Sequence, residues 1–284
     1  MKTAIITDSS ANLDNAFVKK HKNLFVMPLM ILVEGQSFKD GVEISAKEVY
    51  SQLDDKEITT SLPSMNDLSD AIETIKKEGY TNILAINISS GLSGTFNAFR
   101  LLFNEVEDIN IVHYDSKTLG AGLGYIIEHA LELVKADHPL DTITEKLDTL
   151  RFEDSLAIYT IETLKYLRKG GRIGKVEGTI GDILRVKPVI TVNDEGVYVT
   201  LSKTIGSLQR ALLSMKKLLV KKFGDDPIDL TVHYGKDKEK ATEQGEKLKQ
   251  HLNIKSLKIS PLTPVLGIHT GPEMFAYVAR RLNK

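Results

Sequence analysis

The sequence contains no cysteine, and this absence limits the chemistry that the chain can perform. Disulfides, thiolate metal sites and a cysteine nucleophile are excluded, although the redox compartment does not follow from the absence alone. The seven histidines form no HExxH motif and no pair at helical spacing, so we expect no metal site. A P-loop is also missing, because no lysine follows the glycines of the turn at residues 89–95.

An excess of charge and long apolar runs are missing as well. The net charge of −1 gives no electrostatic reason to expect nucleic acid or an anionic membrane as a partner. No apolar stretch approaches the ~20 residues that span a bilayer, and the first residues are too short an apolar run for a signal peptide. We therefore expect a cytoplasmic protein without stable membrane insertion, for which transient membrane contact stays open.

Strand and helix patterns alternate over the first half of the chain. Apolar runs at 4–7, 83–88 and 109–114 each precede a stretch with helical spacing, which predicts a parallel sheet covered by helices on both faces. After residue 150 the pattern changes, and Asn193–Gly196 between two β-rich runs predicts an antiparallel hairpin.

These patterns predict an α/β protein of two domains. Its 284 residues are enough for two cores. Residues 1–150 would form an N-terminal α/β/α domain with a parallel sheet. Residues 151–284 would form a C-terminal α/β domain with a mixed or antiparallel sheet.

Some local predictions concern the segments between the expected elements. Residues 24–30 are interpreted as one strand, whose apolar run is extended by residues 31–33, and residues 36–41 as a turn. Residues 58–64 are interpreted as a polar loop rich in hydroxyls. Ser45, with Glu48 three residues later, predicts a capping box at a helix start.

The turn Ser89–Thr95 combines serines and glycines between a buried strand and a helix. Free backbone N–H groups and the helix dipole favour an anion there, and Ser93 and Thr95 can donate hydrogen bonds. In the alternative interpretation, Ser93 or Thr95 caps the helix and nothing is bound. A nucleophile elbow is disfavoured, because Thr95 stands where its second glycine is required.

Other polar loops are expected near this turn. Asp8–Ser10 and Asp115–Ser116 also follow predicted strands, and the loop at 60–64 could fold over the same edge. Ligands of parallel α/β sheets bind beyond the carboxyl ends of the strands. The shared hydroxyl chemistry of these loops therefore indicates a site for a carboxylate or phosphate.

Two further residues are candidates for binding. His269 is surrounded by small residues that leave room for a ligand, to which its ring could offer a hydrogen bond or a positive charge. The alternative for His269 is an exposed turn histidine. Arg172 lies in a glycine-rich basic loop, 169–174, that is not expected to hold it rigidly. It is either a surface residue or a docking contact for a protein or phosphate.

Taken together, eight short motifs resemble the DegV family, which includes the fatty-acid-binding (FakB) subunits of bacterial fatty acid kinase. They run in order along essentially the whole chain: Thr7-Asp8-Ser9-Ser10, Lys39-Asp40-Gly41-Val42, Thr60-Ser61-Leu62-Pro63-Ser64, Ser90-Gly91-Leu92-Ser93-Gly94-Thr95, Asp115-Ser116, Gly171-Arg172-Ile173, Lys187-Pro188 and His269-Thr270-Gly271-Pro272. The resemblance implies a DegV-like two-domain fold with a long-chain fatty acid in a tunnel and its carboxylate at the domain interface. It implies no other cofactor and no catalytic residue.

The resemblance also assigns residues. Thr60, Ser93 and His269 would hold the carboxylate, with Ser61 adjacent. The motif neighbours Gly94, Thr95 and Thr270 complete the expected ligand-binding set. Arg172 would correspond to a family position that engages the fatty acid kinase catalytic subunit.

The sequence departs from the family pattern at three places: Leu62 stands where glutamine is usual, Glu273 where glycine is usual, and no arginine closely follows Lys203. The last departure bears on kinase pairing more than on lipid binding.

Three functions compete at this point. The first is a lipid-binding protein that presents the acid to a separate kinase and has no turnover of its own. The second is a serine hydrolase of lipid or acyl esters that uses Ser93, His269 and either Asp8 or Asp115. The third is a regulatory or scaffold protein whose pocket has no function.

Overall fold

The chain is described here by a computed structural model that covers residues 2–176, 186–205 and 207–282, with the backbone alone at 186, 204 and 205. The strands are Thr3–Asp8 (β1), Leu24–Met27 (β2), Met30–Val33 (β3), Gln36–Lys39 (β4), Ile58–Ser61 (β5), Asn82–Asn87 (β6), Asn110–Asp115 (β7), Ser155–Thr160 (β8), Val186–Val192 (β9), Tyr198–Ile205 (β10), Ile228–Tyr234 (β11), Ile254–Pro261 (β12) and Phe275–Arg281 (β13). The α-helices are Asn15–Lys20 (α1), Ala46–Tyr50 (α2), Met65–Lys77 (α3), Thr95–Phe103 (α4), Ala121–Lys135 (α5), Leu140–Asp148 (α6), Lys165–Lys169 (α7), Leu208–Phe223 (α8), Lys238–Lys249 (α9) and Pro264–Thr270 (α10).

The N-terminal half contains a four-stranded parallel sheet in the order β2-β1-β6-β7. Residues of β1 and β6 are buried without interruption, because both faces of the sheet are covered. One face packs against α3 and α4, and the other packs against α5. The continuous apolar runs in the sequence therefore predicted this sheet correctly.

A separate three-stranded antiparallel sheet, β4-β3-β5, corrects three local predictions. Residues 24–33 form two strands in different sheets, since the chain leaves the parallel sheet at Pro28. The expected turn at 36–41 contains β4, which follows a tight turn at Glu34 and Gly35, both with positive φ. The expected loop at 58–64 begins with β5. Pairing on both edges of β3 overrides the polar composition of β4 and β5.

The C-terminal half contains a six-stranded mixed sheet in the order β10-β9-β8-β13-β11-β12. Its single parallel pair is β11 with β12, and the predicted hairpin is the antiparallel pair β9 and β10. Helices α8 and α9 cover one face, while the other face contributes to the apolar core shared with α5. The predicted α/β class, with an N-terminal parallel sheet and a C-terminal mixed sheet, is confirmed. The division at residue 150 stays a prediction.

Two further sequence predictions concern helices. Ser45 and Glu48 form the expected capping box at the start of α2. Across the described ranges, no helix is both long and apolar enough to cross a bilayer.

Candidate functional site

Two aspartates join the strand ends at the carboxyl edge of the parallel sheet. Asp8, the last residue of β1, accepts hydrogen bonds from Asn87 Nδ2 (2.9 Å) and from the Ile88 N–H (3.0 Å) beside β6. Asp115, the last residue of β7, accepts one from the Ser90 N–H (3.1 Å). The polar loops after these strands therefore lie at one edge, and both carboxylates are used to hold the loops together.

The side chains at both ends of the turn Ser89–Thr95 form hydrogen bonds within the protein. Ser89 Oγ donates to the Gly196 carbonyl (2.7 Å), so the β9–β10 hairpin turn covers the start of this turn. Ser93 Oγ accepts from the Thr95 N–H (3.2 Å) and lies 2.8 Å from the hydroxyl of Thr95, which is fully buried. Ser93 thus satisfies the first N–H of α4, whose N-cap residue is Gly94 and makes no side-chain cap hydrogen bond. When Thr95 donates to Ser93, the Ser93 hydroxyl proton is free for a ligand.

Strand β5 and helix α10 bring Thr60 and His269 together across 209 positions of sequence. Thr60 Oγ1 lies 3.0 Å from His269 Nε2. Helix α10 is fixed by the buried Asp40, which accepts from the Val265 N–H (2.9 Å) and from the Thr263 hydroxyl (2.7 Å). A contact between the two halves of the chain therefore determines where His269 lies.

A cavity of about 100 Å³ lies beside the Thr60–His269 pair. It is lined by Leu53, Ile58, Thr59, Thr60, Tyr166, Lys169, Gly170, Arg172, Ile268 and His269. Two of these lining side chains are basic and none is acidic, which favours an anion.

The size of this cavity departs from the sequence expectation of a tunnel. Pockets that enclose drug-sized ligands measure roughly 300–1,000 Å³. A volume of about 100 Å³ therefore admits a headgroup but no long acyl chain. The apolar walls formed by Leu53, Ile58 and Ile268, which belong to the main core, would have to part for a chain to enter.

His269 is a neutral hydrogen-bonding group in this environment. Burial, and secondly the positive charge of Arg172, lower the pKa of His269 from 6.5 to about 4. Its Nδ1 is buried and has no hydrogen-bond partner among the described residues. The positive charge that the sequence allowed at His269 is therefore supplied at neutral pH by Arg172.

Arg172 is held in place, which corrects the expectation of a loosely held side chain. Its Nε donates to the Leu92 carbonyl (3.3 Å) and its Nη1 to the Gly170 carbonyl. Positive φ angles at Gly171 (68°) and Gly174 (56°) let the loop fold back on itself. The half-buried guanidinium consequently connects the cavity to the segment just before Ser93.

The remaining candidate residues do not line this cavity. Ser61 is exposed and follows Thr60 on a strand, so its side chain points to the opposite face. Leu62 lies over Gly94, where a Cβ would be 3.6 Å from Leu62 Cδ2. The Thr270 hydroxyl is buried and donates to the Leu266 carbonyl (3.3 Å). Thr60, His269 and Arg172 are thus the members of the expected set that meet at one cavity.

The described residues do not form the catalytic arrangement that the serine hydrolase alternative requires. Nε2 of His269 is bonded to Thr60 and its Nδ1 faces Gly170, so neither nitrogen is positioned as a base for Ser93. Asp8 and Asp115 are bonded to the strand ends described above.

A second serine also lacks a base. Lys117 Nζ lies 3.2 Å from Ser90 Oγ and 2.7 Å from Asp115 Oδ2. The Lys117 side chain is paired with the Asp115 carboxylate, so its contact with Ser90 does not form an activated nucleophile.

Other histidines serve the fold. His233 Nε2 accepts from the Ala121 N–H (3.0 Å) at the start of α5, so its Nδ1–H donates to the Ser260 carbonyl (3.1 Å). Burial lowers the pKa of His233 to about 4 and keeps this ring neutral. Within the described parts of the chain, no group of three or more His, Cys, Asp or Glu could hold a metal ion.

The cavity residues that were not expected from the sequence include Tyr166, Lys169 and Gly170. The available signal was their position, since α7 and Gly170 directly precede the Gly171-Arg172-Ile173 motif. The position of a residue next to a motif does not reveal which way its side chain points.

The family model described as "Uncharacterised protein, DegV family COG1307" matches residues 2–281. A DegV domain-containing protein of Clostridium acetobutylicum is 38% identical over 281 residues, which cover 98% of both chains. One from Staphylococcus aureus is 34% identical over 276 residues, which cover 95% of both chains.

Three solved structures are similar over nearly their whole length. A fatty-acid-binding DegV family protein of Thermus thermophilus has a TM-score of 0.91 at 25% identity, covering 99% of this chain and 100% of that one. A fatty-acid-binding DegV family protein of Streptococcus agalactiae has a TM-score of 0.89 at 27% identity, covering 100% of both chains. A stearic-acid-binding protein of Eubacterium ventriosum has a TM-score of 0.85 at 27% identity, covering 99% of this chain and 98% of that one.

Proposed function

The chain belongs to the DegV family, and from this membership we propose that it binds a long-chain fatty acid with the carboxylate at Thr60 and His269. The observation that carries the proposal is the Thr60–His269 pair, 3.0 Å apart, beside a cavity whose described lining includes two basic side chains and no acidic one. The fatty-acid-binding descriptions of the three similar structures support the ligand class.

The acyl chain would dominate the affinity. Each buried CH₂ contributes about 0.8 kcal/mol, so ~14 methylenes contribute roughly 11 kcal/mol before ordering costs. A hydrogen bond to a charged headgroup contributes about 1.5–3 kcal/mol. Part of the chain term is offset by separating the apolar walls of the cavity. The polar residues would thus orient the acid, and the tail would hold it.

We expect the purified protein to retain a fatty acid and to be stabilised by oleate. At an oleate concentration of 100 times Kd, binding to the folded state adds about 2.7 kcal/mol. This corresponds to a rise in Tm of about 5–10 °C for a chain of this size. Native mass spectrometry identifies the retained lipid, and differential scanning calorimetry measures the shift.

The matched ligand control is methyl oleate, which has the same tail and no carboxylate. It is expected to give a smaller shift because the headgroup interactions are lost. A protein that purifies without lipid, and whose Tm oleate does not change, would contradict the proposal of fatty acid binding.

We further propose that the bound acid is presented to a fatty acid kinase catalytic subunit, which converts it to an acyl phosphate. In this proposal the chain binds and orients, and the partner supplies nucleotide and catalysis. The absence of a P-loop from the sequence supports this division. Thr60 and neutral His269 are both uncharged, so they leave a carboxylate oxygen able to attack a phosphoryl group.

Arg172→Ala is expected to lower kinase-dependent acyl phosphate formation by about tenfold, a loss of about 1.4 kcal/mol in coupling. Bound oleate should be retained, because the guanidinium donates to Leu92 and Gly170 and the tail dominates affinity. Trapping the acyl phosphate with hydroxylamine measures the first quantity, and native mass spectrometry the second.

Arg168→Ala is the matched control. It removes the same charge from an exposed position four residues earlier that does not line the cavity. Equal acyl phosphate formation by the wild type and Arg172→Ala would remove Arg172 from the partner interface.

The side chains at 204 and 205, where the family arginine is missing, lie outside the described residues.

A further inference from the structure

The backbone of Gly170 closes directly on the unpartnered nitrogen of His269. A Cβ placed on Gly170 would lie 2.7 Å from Cε1 of His269, 3.3 Å from its Cγ, and closer still to Nδ1. Real Cβ atoms do not approach other atoms within 3.0 Å. The direction in which a side chain would leave Gly170 therefore points at Nδ1, and a hydrogen on the glycine Cα occupies it.

The backbone conformation does not require glycine at this position. Gly170 has φ −82° and ψ −6°, which any residue adopts without strain. Both of its backbone polar groups are engaged, since its N–H donates to the Tyr166 carbonyl (3.0 Å) and its carbonyl accepts from Arg172 Nη1. The peptide is thus fixed in place, and only the space beside His269 depends on the missing side chain.

We propose that Gly170 is a positioning residue that fixes the imidazole proton of His269 on Nε2. A bare Nδ1 lone pair tolerates a Cα–H pointing at it, as in weak C–H hydrogen bonds. A proton on Nδ1 would meet that Cα–H directly and would have no acceptor among the described residues. The neutral ring therefore carries its single proton on Nε2 and donates it to Thr60 Oγ1.

This tautomer sets the direction of the Thr60 hydroxyl. Because Thr60 Oγ1 accepts from His269, its own proton is free to donate into the cavity. The opposite tautomer would make Thr60 the donor to Nε2 and would turn its proton away from the cavity. The role of the Thr60 proton rests on the proposed function, because a carboxylate is the ligand that would receive it. The tautomer of His269 does not depend on the proposed function.

The direct test is long-range ¹H–¹⁵N correlation NMR of ¹⁵N-histidine-labelled protein at pH 7, without lipid. The wild type is expected to show His269 with a protonated Nε2 and a bare Nδ1. In Gly170→Ala the methyl displaces the ring, so both tautomers should be averaged and the pKa of His269 should move from about 4 towards 6.5. A protonated Nδ1 in the wild type, or an unchanged ring in Gly170→Ala, would overturn the proposal.

A double-mutant comparison separates this effect from general damage to the loop. Gly170→Ala is expected to weaken oleate binding at least threefold in the wild type, with a new pH dependence between 4 and 6.5. In the His269→Ala background the methyl group has space, so the same substitution should change oleate binding by less than twofold. An equal loss in both backgrounds would show that Gly170 does not act through His269.

Two substitutions of His269 keep the proposal testable if Gly170→Ala does not fold. The amide of His269→Gln can place an N–H near the position of Nε2, whereas that of His269→Asn places one near Nδ1. We expect His269→Gln to shift the ¹³C resonance of the oleate carboxyl least and His269→Asn to resemble His269→Ala. The reverse order would overturn the assignment. If the wild type does not bind oleate at all, the proposed function is contradicted, whereas the NMR result on the tautomer of His269 still stands.

Discussion

His269→Ala is expected to lower kinase-dependent phosphorylation of bound oleate by about 10–100-fold, while the Kd for oleate rises by less than about tenfold. The substitution removes the buried neutral ring whose Nε2–H orients the Thr60 hydroxyl. This loss acts through Thr60 on the carboxylate, whose position controls the attack on the phosphoryl group. The acyl chain, which dominates the affinity, is not touched.

The measurement pairs two quantities on the same samples: acyl phosphate trapped with hydroxylamine, and oleate retained in native mass spectrometry. Thr60→Val is expected to follow the same ranking because it removes the hydroxyl and keeps the side-chain shape. Ser93→Ala should follow it at smaller magnitude, since Ser93 does not line the cavity. His251→Ala, which replaces an exposed histidine, is the control and is expected to change neither quantity. If these variants lost bound oleate but phosphorylated the oleate that they retained as fast as the wild type, the headgroup residues would control affinity, and the proposal would be contradicted.

A readout without the kinase keeps this prediction independent of the partner. Oleate labelled with ¹³C at the carboxyl is expected to show a distinct bound resonance in the wild type. In His269→Ala that resonance should move towards the value of the acid in water. An unchanged resonance would place the carboxylate away from His269.

The sequence predicted the parts of the fold in which local pattern and burial agree. β1 and β6 are buried on both faces, so their apolar runs identified them directly. β4 and β5 were missed because their stability comes from pairing with β3, and composition alone favoured a turn and a loop there. The strand break at Pro28 was missed for the same reason, since an apolar run does not reveal to which sheet each half belongs.

The candidate site was only partly accessible from the residues alone. Hydroxyl-rich loops at strand ends indicated an anion site, but the structure uses Asp8 and Ser89 to connect elements. Thr60 and His269 were paired through the family resemblance, which is confirmed as membership. No local pattern links positions separated by 209 residues, and none reveals that Gly170 faces a histidine ring.

Asp8→Ala is expected to destabilise the protein by about 3–5 kcal/mol, because it leaves several buried hydrogen-bond donors without their acceptor. The fully buried carboxylate accepts from the Ser10 N–H (3.1 Å), the Ser10 hydroxyl, Asn87 Nδ2 (2.9 Å) and the Ile88 N–H (3.0 Å). Burial raises the pKa of Asp8, and these four donors oppose that rise. Without the carboxylate, four buried donors lose their acceptor, and β1 loses its side-chain connection to the end of β6.

Asp8→Asn distinguishes this mechanism from a loss of packing, because it keeps the shape and replaces one acceptor oxygen by an NH₂ donor. With the amide oxygen towards Ser10, the NH₂ group faces the Ile88 N–H, which cannot turn; with the amide flipped, it faces the Ser10 N–H. We therefore expect Asp8→Asn to cost within about 1 kcal/mol of Asp8→Ala in urea unfolding at pH 7. The control is Asp14→Asn at the exposed N-cap of α1, where asparagine caps as well as aspartate and the change should be below about 0.5 kcal/mol. If Asp8→Asn were as stable as the wild type, the four donors would not be what makes Asp8 necessary at this edge of the sheet.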